Sequence, residues 1–211
     1  MADDCFIEKA ASTRYGSVYV KLFKGGKYSV PIVLLHGFSF TSDVWSEIGL
    51  LETLCNEGIP FIAPDMPYGM KVTRSFRSRD PLRNISVVED LLSSLNFGKS
   101  YLVGASLGGY ISLRYAAETN SVIGMTLVAP VNSLEEEIVS YLKRNPIPIL
   151  LIYGDKDNIV EFSGMKRFSE ETKETALVVY EDAPHPSYLR YPERFNKDVI
   201  THYKNVIGYS A

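Results

Sequence analysis

The chain has 211 residues, 45% of them hydrophobic and 22% charged, with a net charge of −3. That is enough apolar chain for one sizeable core. The slight acidity gives no reason to expect nucleic acid or an anionic membrane as a partner, and no apolar run nears the ~20 residues that cross a bilayer.

The acidic start, Met1-Ala2-Asp3-Asp4, lacks the apolar stretch of a signal peptide. Residues 1–13 carry no pattern and are expected to form a loose arm. Two cysteines, Cys5 and Cys55, are too few for a disulfide framework, and their scarcity fits a reducing compartment. A soluble, cytoplasmic protein is therefore expected. Neither cysteine has His or Cys neighbours at metal-ligand spacing, so no metal is expected.

Residues 15–23 alternate as a strand does, and Gly25-Gly26 is a turn. Residues 29–35 end in Val33-Leu34-Leu35, a run suited to a strand buried on both faces. His36-Gly37-Phe38 follows, then a helix over 43–57 with Thr41, Ser42 or Asp43 as N-cap candidates. A short buried strand spans 59–65, a polar loop 66–80 and a helix 81–96. Strand and helix follow at 99–118, a strand at 122–128 and a short amphipathic helix at 133–144. Its acidic start (Glu135, Glu136, Glu137) and basic end (Lys143, Arg144) complement the helix dipole. A strand at 147–153, a helix at 161–172, a strand at 176–180 and a helix at 192–206 complete the chain. Strands alternating with helices predict an α/β fold in one domain over 1–211: a mostly parallel sheet with helices on both faces.

The most informative stretch is Tyr101-Leu102-Val103-Gly104-Ala105-Ser106-Leu107-Gly108-Gly109-Tyr110. An apolar run ends in Gly-x-Ser-x-Gly and a helical pattern follows at once, the order of a nucleophile elbow. Such a turn lifts the serine hydroxyl off the sheet edge, and strand and helix nearly touch. Residues two before and two after the serine must then be small, as Gly104 and Gly108 are. The alternative is an ordinary glycine-rich turn between a strand and a helix.

A serine hydroxyl needs a base, and the base needs an acid to fix its tautomer. In such sheets, ligands sit beyond the carboxyl ends of the strands. Of the three histidines, His202 lies within the last helix and reads as a surface or packing residue, and His36 opens its own loop. His185, shortly after the last strand, is the candidate base. Asp155 and Asp157 both follow the apolar run 150–153. Asp157 stands further into the loop and is the favoured acid; Asp155 is expected to brace the turn and Asp65 to shape its own loop. The order Ser106, Asp157, His185 is the order this elbow fold uses. The backbone N–H groups of Leu107 and Phe38 are the candidate oxyanion donors.

These motifs make the chain resemble the α/β-hydrolase superfamily. Leu34-Leu35-His36-Gly37-Phe38, Pro64-Asp65-Met66-Pro67, the elbow, Gly154-Asp155-Lys156-Asp157 and His185 with Tyr191-Pro192-Glu193 run from about 30 to 205 in family order. Trp45 and His185-Pro186-Ser187-Tyr188-Leu189 are most similar to the small, lid-poor CIB-like hydrolases. The resemblance implies esterase activity on short acyl groups, with no metal and no organic cofactor. Two positions depart from it: Tyr68-Gly69-Met70 stands where Gly-His-Gly is frequent, and Pro184 where a glycine often precedes the histidine.

Only 131–146 separates Pro130 from the next strand, so a minimal lid of one short helix is expected there. Tyr141, Leu142, Phe38, Phe40 and Leu107 are candidate pocket walls. Lys71, Arg74, Arg77 and Arg79 crowd the 66–80 loop, which is either simply solvated or recognises an anionic substrate such as a phosphate-bearing thioester. The expected activity is that of a serine carboxylesterase acting on a small-molecule acyl ester. The alternatives are an acyl thioesterase and an interaction protein that kept the fold and lost catalysis.

Overall fold

The computed structural model describes residues 5–208. Among them, eight strands form one sheet. A hairpin opens the chain: β1 (Ile7–Thr13) pairs antiparallel with β2 (Gly16–Phe23), from Ile7 opposite Leu22 to Thr13 opposite Gly16. β3 (Ile32–Leu35) leads to α1 (Asp43–Glu47) and α2 (Leu50–Glu57), and β4 (Phe61–Pro64) to α3 (Pro81–Ser94). β5 (Ser100–Ala105), α4 (Leu107–Thr119), β6 (Val122–Val128) and α5 (Glu136–Arg144) follow. β7 (Ile149–Gly154), α6 (Phe162–Glu171), β8 (Thr175–Tyr180), α7 (Ser187–Arg190) and α8 (Pro192–Gly208) end the described chain.

The sheet order is β1-β2-β4-β3-β5-β6-β7-β8, antiparallel at β1/β2 and β2/β4 and parallel elsewhere. The central strands alternate between two cores, one on each face. Val33, Leu35 and Leu102 join Val88 of α3, Leu113 of α4 and Phe168 of α6. Ile32, Leu34, Tyr101 and Val103 join Trp45 of α1, Leu51 of α2 and Phe195 and Tyr203 of α8. With apolar residues needed on both sides, strands such as Ile32–Leu35 are wholly buried. The fold is the α/β-hydrolase arrangement expected from the sequence.

Three expectations change. Residues 7–13 are a strand rather than a loose arm; both faces of this edge strand are largely exposed, so no apolar alternation marks it. Its polar side chains hold it instead, with Lys21 Nζ 2.9 Å from Glu8 and Arg14 bonded to Asp90 of α3. The helix at 43–57 is two helices, broken where Gly49 takes φ 69°. Finally, Cys5 and Cys55 are bonded to each other, with their Cα atoms 6.2 Å apart. The hairpin carries the chain start to α2, and the pairing removes the cysteine argument for a reducing compartment. No helix among the described residues is long and apolar enough to cross a membrane.

Candidate active site

Ser106 sits between β5 and α4 with φ 53° and ψ −112°, a backbone region that costs a non-glycine residue on the order of 1–3 kcal/mol. Its surroundings hold it there. The Ser106 N–H donates to Val128 O at 2.8 Å, and Ser106 O accepts from Tyr110 N at 3.0 Å and Val131 N at 3.3 Å. The tight approach requires the flanking glycines. A methyl group on Gly108 would stand 2.1 Å from Leu35 O, and one on Gly104 would stand 2.6 Å from Gly108 O.

Asp157 and His185 come together. His185 Nδ1 is 2.7 Å from Asp157 Oδ2. The other carboxylate oxygen accepts from Ile159 N at 2.8 Å and Val160 N at 3.0 Å, so the acid is fixed at both ends. The two loops meet because Gly154 has no side chain: a methyl there would lie 2.3 Å from Ala183 O. Lys156 N donates to that same carbonyl at 3.0 Å. Asp155 instead points its carboxylate to the surface, 3.9 Å from Lys156 Nζ, while its N–H bonds Tyr180 O and braces the turn.

Ser106 and His185 line one cavity of about 250 Å³, with Phe38, Phe40, Ile159 and Tyr188 among its other walls. No hydrogen bond joins the Ser106 hydroxyl to the imidazole; such contacts often tighten only in the complex with substrate. With Nδ1–H donated to Asp157 Oδ2, Nε2 is left as an acceptor. Leu107 opens α4, so its N–H is an orphan donor of the helix start.

His36 fixes the turn that carries Phe38. Its Nδ1–H donates to Gly37 O at 2.8 Å, and its Nε2 accepts from Met66 N at 2.9 Å. Full burial lowers its pKa to about 4, which keeps the ring neutral and able to play both parts. Gly37 O and Phe38 N–H belong to one planar peptide, so holding the oxygen aims the donor. Phe40 N also bonds Gly37 O, at 3.0 Å, and a methyl on Gly37 would stand 3.8 Å from Ser106 Cβ. The turn thus abuts the elbow. The sequence marked His36 only as a loop opener; its two backbone partners lie on different loops and leave no local signal. Gly69, in one of the departing motifs, packs on this imidazole, with room for no side chain. His202 is a packing residue against Tyr101 of β5, as expected.

Helix α5, from the segment expected as a lid, does not wall the Ser106 cavity. α5 packs its buried Ile138, Val139 and Leu142 into the core beside α4 and α6, and Tyr141 bonds Asn120. Neither Tyr141 nor Leu142 lines the Ser106 cavity, whereas Phe38 and Phe40 do. Leu107 lines a neighbouring pocket that shares Phe38 as a wall. Amphipathicity showed that α5 buries one face; it carried no information on which surface receives that face. The Ile159 and Tyr188 walls were missed because both stand in loops or short turns without periodicity. Asp65 is buried, accepting from Ser42 N at 2.9 Å, Ser42 Oγ at 2.6 Å and Arg74 Nε at 2.8 Å. It ties its own loop to α1.

A buried sheet with a strained serine at its central strand end and a histidine–aspartate pair beside it defines a hydrolase of the α/β type. The profile of the alpha/beta hydrolase family matches residues 32–142, and the chain belongs to that family. It is similar to ABHD14B of Homo sapiens, a protein named for a proposed protein-lysine deacylase activity: 25% identity over 181 residues, 83% of each chain. A CIB-like hydrolase from Thermoplasma acidophilum superposes with a TM-score of 0.84 at 26% identity, over 95% of this chain and 98% of that one. The carboxylesterase CesB from Bacillus subtilis shares the fold, with a TM-score of 0.78 at 16% identity over 94% of this chain and 91% of its own.

Proposed function

We propose that this hydrolase is a serine carboxylesterase acting on short-chain acyl esters, with Ser106, His185 and Asp157 as its triad. The observation that carries the reading is the Asp157–His185 hydrogen bond at the edge of the cavity that Ser106 also lines. His185 Nε2 takes the hydroxyl proton as Ser106 Oγ attacks the acyl carbon. The carbonyl oxygen becomes an oxyanion facing the N–H groups of Phe38 and Leu107. His185 then gives its proton to the leaving oxygen as the ester bond breaks, leaving the acyl group on Ser106. Water, activated by the same imidazole, releases the acid and restores the serine. Asp157 holds the tautomer and stabilises the imidazolium throughout.

With α5 packed away from the cavity, no wall of it comes from the 131–146 segment. The Ser106 cavity of about 250 Å³ and the pocket of about 270 Å³ that shares its Phe38 wall are both small, which favours short acyl esters over long chains. A series of p-nitrophenyl esters tests this: activity should fall steadily beyond short chains, and a maximum at about ten carbons or more would contradict it.

A second reading concerns the leaving group. The relatives named for lysine deacylation suggest that the same acyl transfer could run from a lysine amide. The chemistry differs only in the atom that His185 protonates, nitrogen in place of oxygen. Release of acetate from an acetyl-lysine peptide, compared with an acetyl ester, separates the two. A thioester is the third leaving group consistent with this triad, and loss of all three activities would favour the non-catalytic interaction protein.

A further inference from the structure

The structure sorts the four cations of the 66–80 loop. Arg74 is spent on Asp65 and Asp43, each at 2.8 Å. Arg77 donates to the carbonyls of Val72 and Met70. Lys71 stands over the ring of Phe40, a wall of the Ser106 cavity, 5.8 Å from its centre. Arg79 stands 5.7 Å over the centre of the Phe38 ring and has no ion pair or hydrogen bond among the described residues. It lines a second pocket of about 270 Å³ whose other walls include Phe38, Tyr68, Leu107, Tyr110 and Ile111.

Acid catalysis says which pocket takes which half of the substrate. His185 must reach the leaving group to protonate it, so the leaving group occupies the cavity His185 lines. The second pocket lacks His185 and is walled by Phe38 and Leu107, the residues whose N–H groups would hold the oxyanion. It shares the Phe38 wall with the Ser106 cavity and is the pocket left for the acyl chain. The pocket is small and mostly apolar, with a single unpaired guanidinium at its rim. Asp80, next to Arg79 in the chain, and Glu135, bonded to the pocket wall Tyr110, are already engaged. Asp80 accepts from Leu82 N at 3.0 Å and lies 3.8 Å from Arg83, while Glu135 accepts from Tyr110 at 3.1 Å and lies 3.4 Å from Arg114.

From this geometry we infer that Arg79 is a specificity-determining residue, and that the second pocket selects short acyl chains ending in a carboxylate. The inference rests on the hydrolase reading above. An apolar chain runs along Leu107, Tyr110 and Ile111, and its terminal carboxylate meets the guanidinium in charge-assisted hydrogen bonds. The same pocket would bind a neutral chain of equal length without that contact.

Monoethyl glutarate and ethyl valerate have five-carbon acyl chains and the same leaving group, and a pH-stat follows both. The ratio of their kcat/KM values is the readout. Arg79→Gln should lower the ratio of glutarate to valerate about tenfold or more, and Arg79→Lys should recover part of it. Lys71→Gln removes the same charge on the leaving-group side and should change the ratio less than about threefold, because a general field acts more weakly than a contact. An unchanged ratio in Arg79→Gln, with valerate still cleaved, overturns this inference and leaves the hydrolase reading standing. An equal fall in Lys71→Gln also overturns it. If wild type cleaves neither ester and Ser106 is inert to a fluorophosphonate, both readings fall together.

Discussion

His185 Nδ1 lies 2.7 Å from Asp157 Oδ2, across 28 positions of chain, and the aspartate side chain is wholly buried. Its second oxygen is held by two backbone N–H groups, so the carboxylate cannot swing away. Asp157→Asn keeps the shape and offers an amide that cannot stabilise an imidazolium. For this variant kcat on a short ester should fall about 10³–10⁴-fold with KM little changed. A loss below about tenfold would mean that another carboxylate orients the base, with Asp155 the next in line.

The elbow leaves no room for a methyl group. Gly108→Ala forces a carbon to 2.1 Å from the Leu35 carbonyl, backbone against backbone, on the strand that precedes His36. Loss of stability of several kcal/mol is expected, at or beyond the upper end of ordinary point mutants. Denaturant unfolding measures it, and a variant within about 0.5 kcal/mol of wild type would contradict the close approach.

Much of this site was legible because its chemistry is local. Gly104, Ser106 and Gly108 are spaced by the needs of a single turn, and the apolar run before them is long enough to read as a strand. Asp157 and His185 each follow an apolar run, which places them at the same edge of a parallel sheet. What stayed hidden depends on contacts between distant segments. β1 has no buried face, so its pairing with β2 leaves no pattern. Ile138 and Leu142 of α5 correctly signalled burial, but only the fold shows that they meet the core beside α4 and α6 and not the Ser106 cavity. His36 looked like a loop residue because its partner Met66 lies 30 positions away.

The Cys5–Cys55 bond closes a loop of 50 positions and ties the start of the hairpin to α2. Opening it frees a long segment in the unfolded chain, a change worth about 2–4 kcal/mol in the loop-entropy view. Reduction, or Cys5→Ser, should therefore lower Tm by several degrees. Thermal unfolding with and without a reductant checks this, and identical midpoints would contradict a stabilising crosslink.

One buried and one half-buried imidazole set an acid limit. Burial lowers the pKa of His36 to about 4 and that of His202 to about 4, against about 6.5 in an unfolded chain. Between those values the unfolded chain binds protons that the folded chain refuses. The stabilisation is thus complete above about pH 6.5 and declines as pH falls towards 4. Unfolding free energies measured from about pH 7 to 4.5 should show this decline, and His202→Gln should make it shallower. A flat profile would mean that the two rings titrate normally in the fold.

The central claim is that residue 106 is a nucleophile activated by His185 and Asp157. Intact-mass analysis after a fluorophosphonate reaction at neutral pH tests it most directly. One adduct on the Ser106 peptide is predicted for wild type, none for Ser106→Ala, and labelling slowed by about 10²-fold or more for His185→Ala. An adduct on another residue, or equal labelling of wild type and His185→Ala, would contradict it.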